Sequence, residues 1–153
     1  MIHPGELAPH FKLDTLRGAS VDLWDFRQRK NLVLVFVAEP KTLCDLGQAF
    51  SSEARAYREE AAEILFICRG STEELVAAAG ACTAPFPVLH DRSGAVFRAY
   101  LGAEARGRKH PAVFVLDRYG EVIRRWDGMT PAHLPDHDEI LSTLDWVQRF
   151  CPE

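Results

Sequence analysis

Cys44 lies where the sequence changes from a buried strand pattern to a helical one. The apolar run Leu32 to Val37 leads through a short segment to this cysteine. The first turn of a helix offers free N–H groups and the positive end of the macrodipole, and both favour a thiolate over a thiol. A thiolate can attack a peroxide oxygen or a disulfide sulfur. The segment therefore predicts sulfur chemistry at Cys44.

Side chains just before Cys44 could support that chemistry. The charge of Lys41 would favour the thiolate, and the Thr42 hydroxyl could donate a hydrogen bond to the sulfur or to a peroxide oxygen. The alternative is that Cys44 is a small, partly buried hydrophobe and that Lys41 is a solvated loop charge. The residues alone leave both interpretations open.

The other cysteines carry different expectations. Cys68 ends an apolar run, so we expect it to be a core residue. Cys82 follows a predicted helix in a stretch of small residues, from which a resolving thiol could reach Cys44 if the Cα atoms approach within ~7 Å. Cys151 could pair between molecules or stay free. Because no C-x-x-C pair is present, we expect neither a zinc knuckle nor a dense disulfide scaffold, and the thiols fit a reducing cytoplasm.

A metal site is not expected. His133 and residues 136–138 bring imidazoles and carboxylates close together along the chain. Pro131 and Pro135, however, mark a loop that enters the last predicted helix, where Asp136 is a natural N-cap. The sequence implies neither a metal nor another cofactor.

Composition and charge narrow the classes of function. The chain has 153 residues, of which 47% are apolar, so we predict a single domain over 1–153 with one sizeable core. A net charge of -4 with scattered lysines and arginines gives no basic surface for nucleic acid. The N-terminal residues lack the pattern of a secretion signal, and no apolar run approaches the ~20 residues needed to cross a bilayer. We therefore expect a cytoplasmic protein that binds neither nucleic acid nor membrane.

The hydrophobic patterns predict strands and helices that would position Cys44. Alternating residues predict hairpins at 11–13 with 20–23 and at 112–116 with 121–126, and continuous apolar runs predict strands at 32–37, 63–68 and 86–89. Helical spacing predicts helices over 45–62, 71–80, 93–100 and 136–150. The last helix should turn its apolar residues, including Phe150, inward. This order is typical of an α/β domain with a mixed sheet.

Several motifs resemble those of one protein family. The opening Gly5 to Phe11, the segment Phe86 to Asp91 and the segment His110 to Asp117 resemble the alkyl hydroperoxide reductase and thiol-specific antioxidant (peroxiredoxin-like) branch of the thioredoxin superfamily. The resemblance implies a thioredoxin-like α/β fold, in which a central mixed sheet is flanked by helices and accompanied by an N-terminal β-hairpin. It also implies that Pro111 follows a cis peptide bond in a proline loop that faces Cys44.

The sequence departs from the family pattern around the reactive cysteine. Lys41 stands where the thioredoxin pattern has its first cysteine and where a peroxiredoxin has a threonine. Pro111 falls about where peroxiredoxins have an arginine, and Arg108 or its basic neighbours could supply the missing positive charge. His110 is the histidine that we most readily connect with Cys44, as a proton donor or base.

The leading functional hypothesis is a thiol-dependent oxidoreductase, specifically a one-cysteine, peroxiredoxin-like peroxidase in which Cys44 reduces a small peroxide. An external thiol, either a thioredoxin-like protein or a low-molecular-weight thiol, would recycle it. The protein would then have antioxidant activity and contribute to cell redox homeostasis.

Two other functions remain open at this point. One is a catalytically silent thioredoxin-fold binding module that holds an extended partner on the proline-loop face. The other is a disulfide reductase that pairs Cys44 with Cys82. The sequence also leaves open whether the protein forms a homodimer.

Overall fold

Strands and helices alternate along most of the chain. The computed structural model describes residues 1–81, 86–128 and 135–150. The strands are β1 (Lys12–Asp14), β2 (Ser20–Asp22), β3 (Asn31–Val37), β4 (Ala62–Cys68), β5 (Val88–His90), β6 (Ala112–Leu116) and β7 (Val122–Trp126). The helices are α1 (Leu43–Ser52), α2 (Ala54–Glu59), α3 (Thr72–Gly80), α4 (Ala95–Leu101) and α5 (His137–Phe150). Short 3-10 helices cover Leu23–Phe26, Pro40–Thr42 and Gly102–Ala105.

The central strand of the larger sheet is β3. In the described residues this sheet has the strand order β5-β4-β3-β6-β7. The strands β3, β4 and β5 are parallel to one another, whereas β6 is antiparallel to β3 and β7 is antiparallel to β6. The strands β1 and β2 form a separate antiparallel hairpin. The mixed sheet, the flanking helices and the N-terminal hairpin confirm the predicted architecture.

Alternate residues of β3 pack into two hydrophobic cores. Leu32, Leu34 and Phe36 belong to the core that contains residues of α4 and the N-terminal segment. The valines between and after them belong to the core that contains residues of α1, α3 and α5. A slip of one residue in register would exchange these two sets of side chains, so the packing fixes the register of β3. It thereby also fixes the end of the strand, from which the Cys44 loop departs.

The helix predicted over 45–62 is interrupted in the structure. Glu53, between α1 and α2, leaves the helical conformation with φ −110° and ψ 12°, and its N–H donates to the carbonyls of Phe50 and Ser51. A positive φ of 52° at Ala61 then turns the chain towards β4. Ser51 and Ser52 before the break have modest helix propensity, but the apolar periodicity continues through Glu53 and therefore gave no signal of the break.

The prediction that Phe150 faces inward is wrong. Its side chain is 67% exposed, and its ring lies against Trp146 with a centroid distance of 5.5 Å. Ile140, Leu144 and Val147 are buried as predicted. Phe150 lies outside the buried stripe that these three residues form.

Candidate active site

The segment between β3 and α1 holds Cys44 in the first turn of a helix. Pro40 is the first residue of the 3-10 helix that ends at Thr42, a position for which its fixed φ is suited. Cys44 is the second residue of α1, and its free thiol is half-buried. The sulfur therefore lies at the end of the helix where the macrodipole favours an anion.

Glu39 contacts both polar side chains that precede Cys44. The Thr42 hydroxyl donates to the Glu39 carbonyl at 2.9 Å. The Lys41 ammonium lies 3.0 Å from a Glu39 carboxylate oxygen, and 80% of the Lys41 side chain is exposed. Among the described residues, neither group hydrogen-bonds to the Cys44 sulfur. In this conformation both groups hold the loop together.

Gly70 supports the same loop from the segment that follows β4. Its φ of +131° lies in a region that side chains rarely adopt, and a Cβ at this position would lie 2.8 Å from Cγ of Pro40. Only glycine gives the chain both this conformation and this close approach. The loop after β4 therefore packs directly on the loop that leads to Cys44.

A cleft opens at the carboxyl ends of β3, β4 and β5. Its volume is about 660 Å³, and it is formed by the loops that follow these strands together with the start of α3. Its charged side chains are Glu39, Lys41, Arg69, Glu74, Asp91 and Arg92. Three cations therefore face three carboxylates, and the cleft has no strong net charge. Cys44 lies about one helical turn beyond Lys41, outside the lining of the cleft.

Arg69 connects the loop after β4 to the segment before the proline loop. Its guanidinium donates to the carbonyls of Ala105 and Arg108 and lies 5.0 Å from the ring centroid of Phe97. The sequence patterns did not point to Arg69 or Gly70. The available signal was an Arg-Gly pair directly after a buried strand, at the edge of the sheet where the reactive loop also begins.

Arg108 is buried beneath the proline loop. Its Nε donates to the His110 carbonyl at 2.7 Å, and one terminal nitrogen donates to the carbonyls of Pro111 at 3.0 Å and Gly128 at 2.9 Å. Burial lowers the pKa of Arg108, while nearby carboxylates oppose this shift. The guanidinium thus anchors the backbone around Pro111. The sequence had instead suggested that its charge would stabilise the Cys44 thiolate.

The expected cis bond before Pro111 is absent. The His110–Pro111 peptide bond is trans, as are the other peptide bonds of the described residues. The trans form is the ordinary preference of an X–Pro bond. Pro111 is buried directly before β6, and His110 is half-buried beside it. Because the bond is trans, the backbone of the proline loop differs from the one that the resemblance implied.

The remaining cysteines differ in what the structure describes. Cys68 is fully buried at the end of β4, which confirms the predicted core position, and burial raises the pKa of its thiol to about 12. Cys82 and Cys151 lie outside the described residues, so their distances from Cys44 are not given by the structure.

The acidic segment before α5 behaves as a helix start. Asp136 accepts a hydrogen bond from the Glu139 N–H at 2.8 Å, which confirms the predicted N-cap. His133 lies outside the described residues. Across the residues that the structure does describe, no three His, Cys, Asp or Glu side chains lie together as a metal site would require.

Known proteins share the sequence pattern of this chain. Residues 4–125 match the AhpC/TSA family. The chain belongs to this family. The match covers the β1–β2 hairpin, the Cys44 loop and the proline loop, and it confirms the family resemblance found in the sequence. No curated protein sequence is significantly similar to this AhpC/TSA chain.

Solved structures with the same fold include peroxiredoxins and a disulfide-exchange protein. A Chlorobium tepidum protein with the provisional name thiol:disulfide interchange protein DsbE is 25% identical, with a TM-score of 0.72 and coverage of 94% of this chain and 99% of that one. The mitochondrial 2-Cys peroxiredoxin of Plasmodium falciparum is 18% identical, with a TM-score of 0.76 and 99% of each chain covered. The peroxidoxin BcpB of Mycobacterium tuberculosis is 20% identical, with a TM-score of 0.75 and coverage of 96% and 99%.

These similarities confirm the thioredoxin-like fold and support a thiol-dependent oxidoreductase. The names of the similar structures cover both peroxide reduction and disulfide exchange, so the geometry of the site has to distinguish the two reaction types.

In the described residues, no helix is long and apolar enough to span a membrane.

Replacing Gly70 tests the contact between the two loops. We expect Gly70→Ala to lower the free energy of unfolding by about 1–3 kcal/mol, because the new Cβ strains the backbone and displaces Pro40. Urea denaturation measures the change. Gly80→Ala is the matched control, since a Cβ there meets nothing within 4 Å and lies in α3. Equal stability of the two variants would contradict the contact.

Replacing Arg108 separates an anchoring role from a role of its charge. We expect Arg108→Met to lower the free energy of unfolding by at least about 2 kcal/mol, because it leaves buried carbonyls without their donors. Arg108→Lys should behave similarly, since an ammonium cannot reproduce the planar fork of donors. Arg106→Met, at an exposed position, is the control. If Arg108→Lys retained wild-type stability, the fork geometry would not be what anchors the loop.

Proposed function

We propose that this protein is a one-cysteine peroxidase in which Cys44 is the attacking thiolate. The observation that supports it most is the placement of a free, half-buried Cys44 in the first turn of α1, at the carboxyl edge of β3. Cys68, in contrast, has no exposed surface, and its raised pKa keeps it a thiol at neutral pH. Of the described cysteines, Cys44 is the one that a peroxide can reach in the folded protein.

The proposed reaction starts with attack of the Cys44 thiolate on one peroxide oxygen. A sulfur–oxygen bond forms, the oxygen–oxygen bond breaks, and the leaving alkoxide or hydroxide takes up a proton. Cys44 is thereby oxidised to a sulfenic acid while the peroxide is reduced to an alcohol or water. An external thiol then displaces water from the sulfenic acid to form a mixed disulfide, and a second thiol releases Cys44 in its reduced form.

The residues around the loop would either position the backbone or donate a proton in this reaction. Thr42 and Lys41 act through Glu39, because both are engaged with it and so set the shape of the loop before Cys44. Arg108 positions the proline loop through its backbone carbonyls. His110, half-buried beside Pro111, is the proton donor that we assign to the leaving oxygen.

The proposal requires an external reductant and a small peroxide. A thioredoxin-like protein or a low-molecular-weight thiol would supply the reducing equivalents, as a reducing cytoplasm could. The protein would then act as an antioxidant and contribute to redox homeostasis. No metal or other cofactor takes part in the proposed steps.

Disulfide exchange is the second candidate function. It is favoured by the similarity to the Chlorobium tepidum protein named as a thiol:disulfide interchange protein. Such a mechanism would use Cys44 with Cys82 as its partner. Exchange within a single C-x-x-C motif is not available, because Lys41 occupies the position at which a motif ending at Cys44 would need its first cysteine.

Peroxide consumption by cysteine variants tests the proposal. We expect the wild-type protein to consume hydrogen peroxide in excess dithiothreitol, and Cys44→Ser to fall to the rate of dithiothreitol alone, because the nucleophile is removed. Cys68→Ala is the matched control and should retain turnover, since its sulfur is sealed in the core. Cys82→Ser should also retain it if one cysteine suffices.

Other outcomes would identify the alternatives. Equal background turnover in wild type and Cys44→Ser would contradict the proposed peroxidase activity and would favour the catalytically silent binding module. A reversible Cys44–Cys82 disulfide in the wild type, with loss of disulfide-reducing activity in both single variants, would instead identify a disulfide reductase.

A further inference from the structure

A second cavity lies at the opposite end of the sheet from Cys44. Leu32, near the start of β3, contributes to its lining together with the turn between β6 and β7. These two elements meet because Leu32 pairs with Leu116 at the end of β6. From Leu32 to Val37 a strand advances roughly 17 Å, so the cavity is separate from the cleft beside Cys44.

Backbone hydrogen bonds join the segments that form this cavity. The Ala8 N–H donates to the Gly120 carbonyl at 2.8 Å, which ties the N-terminal segment to the β6–β7 turn. The Gln28 N–H donates to the Arg118 carbonyl at 2.6 Å, which ties the 3-10 helix region to the same turn. The cavity is therefore bounded on both sides by segments fixed to one turn.

The indole of Trp24 is also held in place. Asp22 accepts hydrogen bonds from the backbone N–H of Trp24 at 2.8 Å and from the His10 ring at 2.7 Å. The His10 ring packs on the indole with a centroid distance of 4.2 Å. The hydrogen bond from the Trp24 backbone N–H has the larger effect and the one from His10 the smaller, and both lower the pKa of Asp22. The wall formed by Trp24 is thus positioned before any ligand binds.

The cavity collects large apolar side chains that remain open to solvent. Leu7 is 67% exposed, Trp24 59% and Tyr119 42%, and all three line it above the more buried Leu23 and Leu32. Single exposed hydrophobic residues are ordinary, but a contiguous set around a concave site indicates binding. Its volume of about 210 Å³ is smaller than the 300–1,000 Å³ or so of sites for drug-sized molecules.

The charged side chains of the cavity are mainly cationic. Arg27, Lys30 and Arg118 line it together with the single carboxylate of Asp117. One carboxylate oxygen of Asp117 accepts hydrogen bonds from the backbone N–H groups of Tyr119 and Glu121. Arg118 donates to a glutamine side chain. Within the described part of the chain, Arg27 and Lys30 have no carboxylate within 4.0 Å.

We propose that this cavity binds a small aromatic carboxylate, with its ring between Trp24 and Tyr119 and its carboxylate at Arg27 and Lys30. The flat faces of the two aromatic residues suit an aryl ring, and the free cations suit an anion. A volume of about 210 Å³ favours a single ring with a short acidic chain over a peptide or a protein surface. The site is independent of the proposed peroxidase function.

Titration with phenylacetate, followed by amide NMR spectra, tests this inference. We expect saturable shifts confined to residues 7–10, 23–32 and 117–120. Phenylacetamide, the uncharged analogue, should bind at least about tenfold more weakly, which corresponds to about 1.4 kcal/mol. The doubly substituted Arg27→Gln/Lys30→Gln protein should weaken phenylacetate binding to a similar extent. Arg29→Gln is the matched control, because it removes a cation of the same segment that does not line the cavity.

Four results would overturn the proposal. The first is the absence of saturable shifts at millimolar phenylacetate, and the second is equal affinity for phenylacetate and phenylacetamide. The third is a set of shifts at the cavity that depends on protein concentration without ligand, which would assign the surface to a second copy of the chain. Loss of binding in the Arg29→Gln control would likewise reject the assigned cations.

Discussion

Burial of β3 on both faces is the constraint from which the rest of the structure follows. Since every residue of this strand is buried, the chain must supply a helical layer and a core on each side of the sheet. The two alternating sets of side chains then fix the register of the strand. Both candidate sites depend on the position of β3, because the Cys44 loop leaves one end of this strand and the cavity lined by Trp24 and Tyr119 is formed around the other.

The loops at the carboxyl edge are held by packing and by two arginines, of which Arg108 is buried and Arg69 half-buried. Pro40 lies against Gly70, Arg69 binds backbone carbonyls before the proline loop, and Arg108 binds carbonyls within and beyond it. Arg108, whose charge the sequence connected with the sulfur, therefore binds the backbone, and Lys41 pairs with Glu39. The site as a whole is arranged by these contacts, and Cys44 receives its position from α1 and not from a polar neighbour.

The strand and helix order could be predicted because apolar periodicity reports burial directly, and the Cys44 loop followed from the change of period at Val37. The break at Glu53 could not be predicted, since it is a change of backbone angle within an uninterrupted apolar periodicity. Contacts between distant segments were equally hidden. Arg69 reaches carbonyls 36 and 39 residues away, and the cavity joins residues from three separate parts of the chain, so neither has a local sequence signature.

Trapping the oxidised sulfur would show whether Cys44 is the attacking thiolate. The folded protein would be treated with one equivalent of hydrogen peroxide in the presence of dimedone, which reacts with sulfenic acids, and the modified peptides identified by mass spectrometry. Our account predicts an adduct on Cys44 and none on Cys68 until the protein is unfolded. Oxidation of Cys68 as readily as Cys44 in the folded state, or no adduct on Cys44, would contradict it.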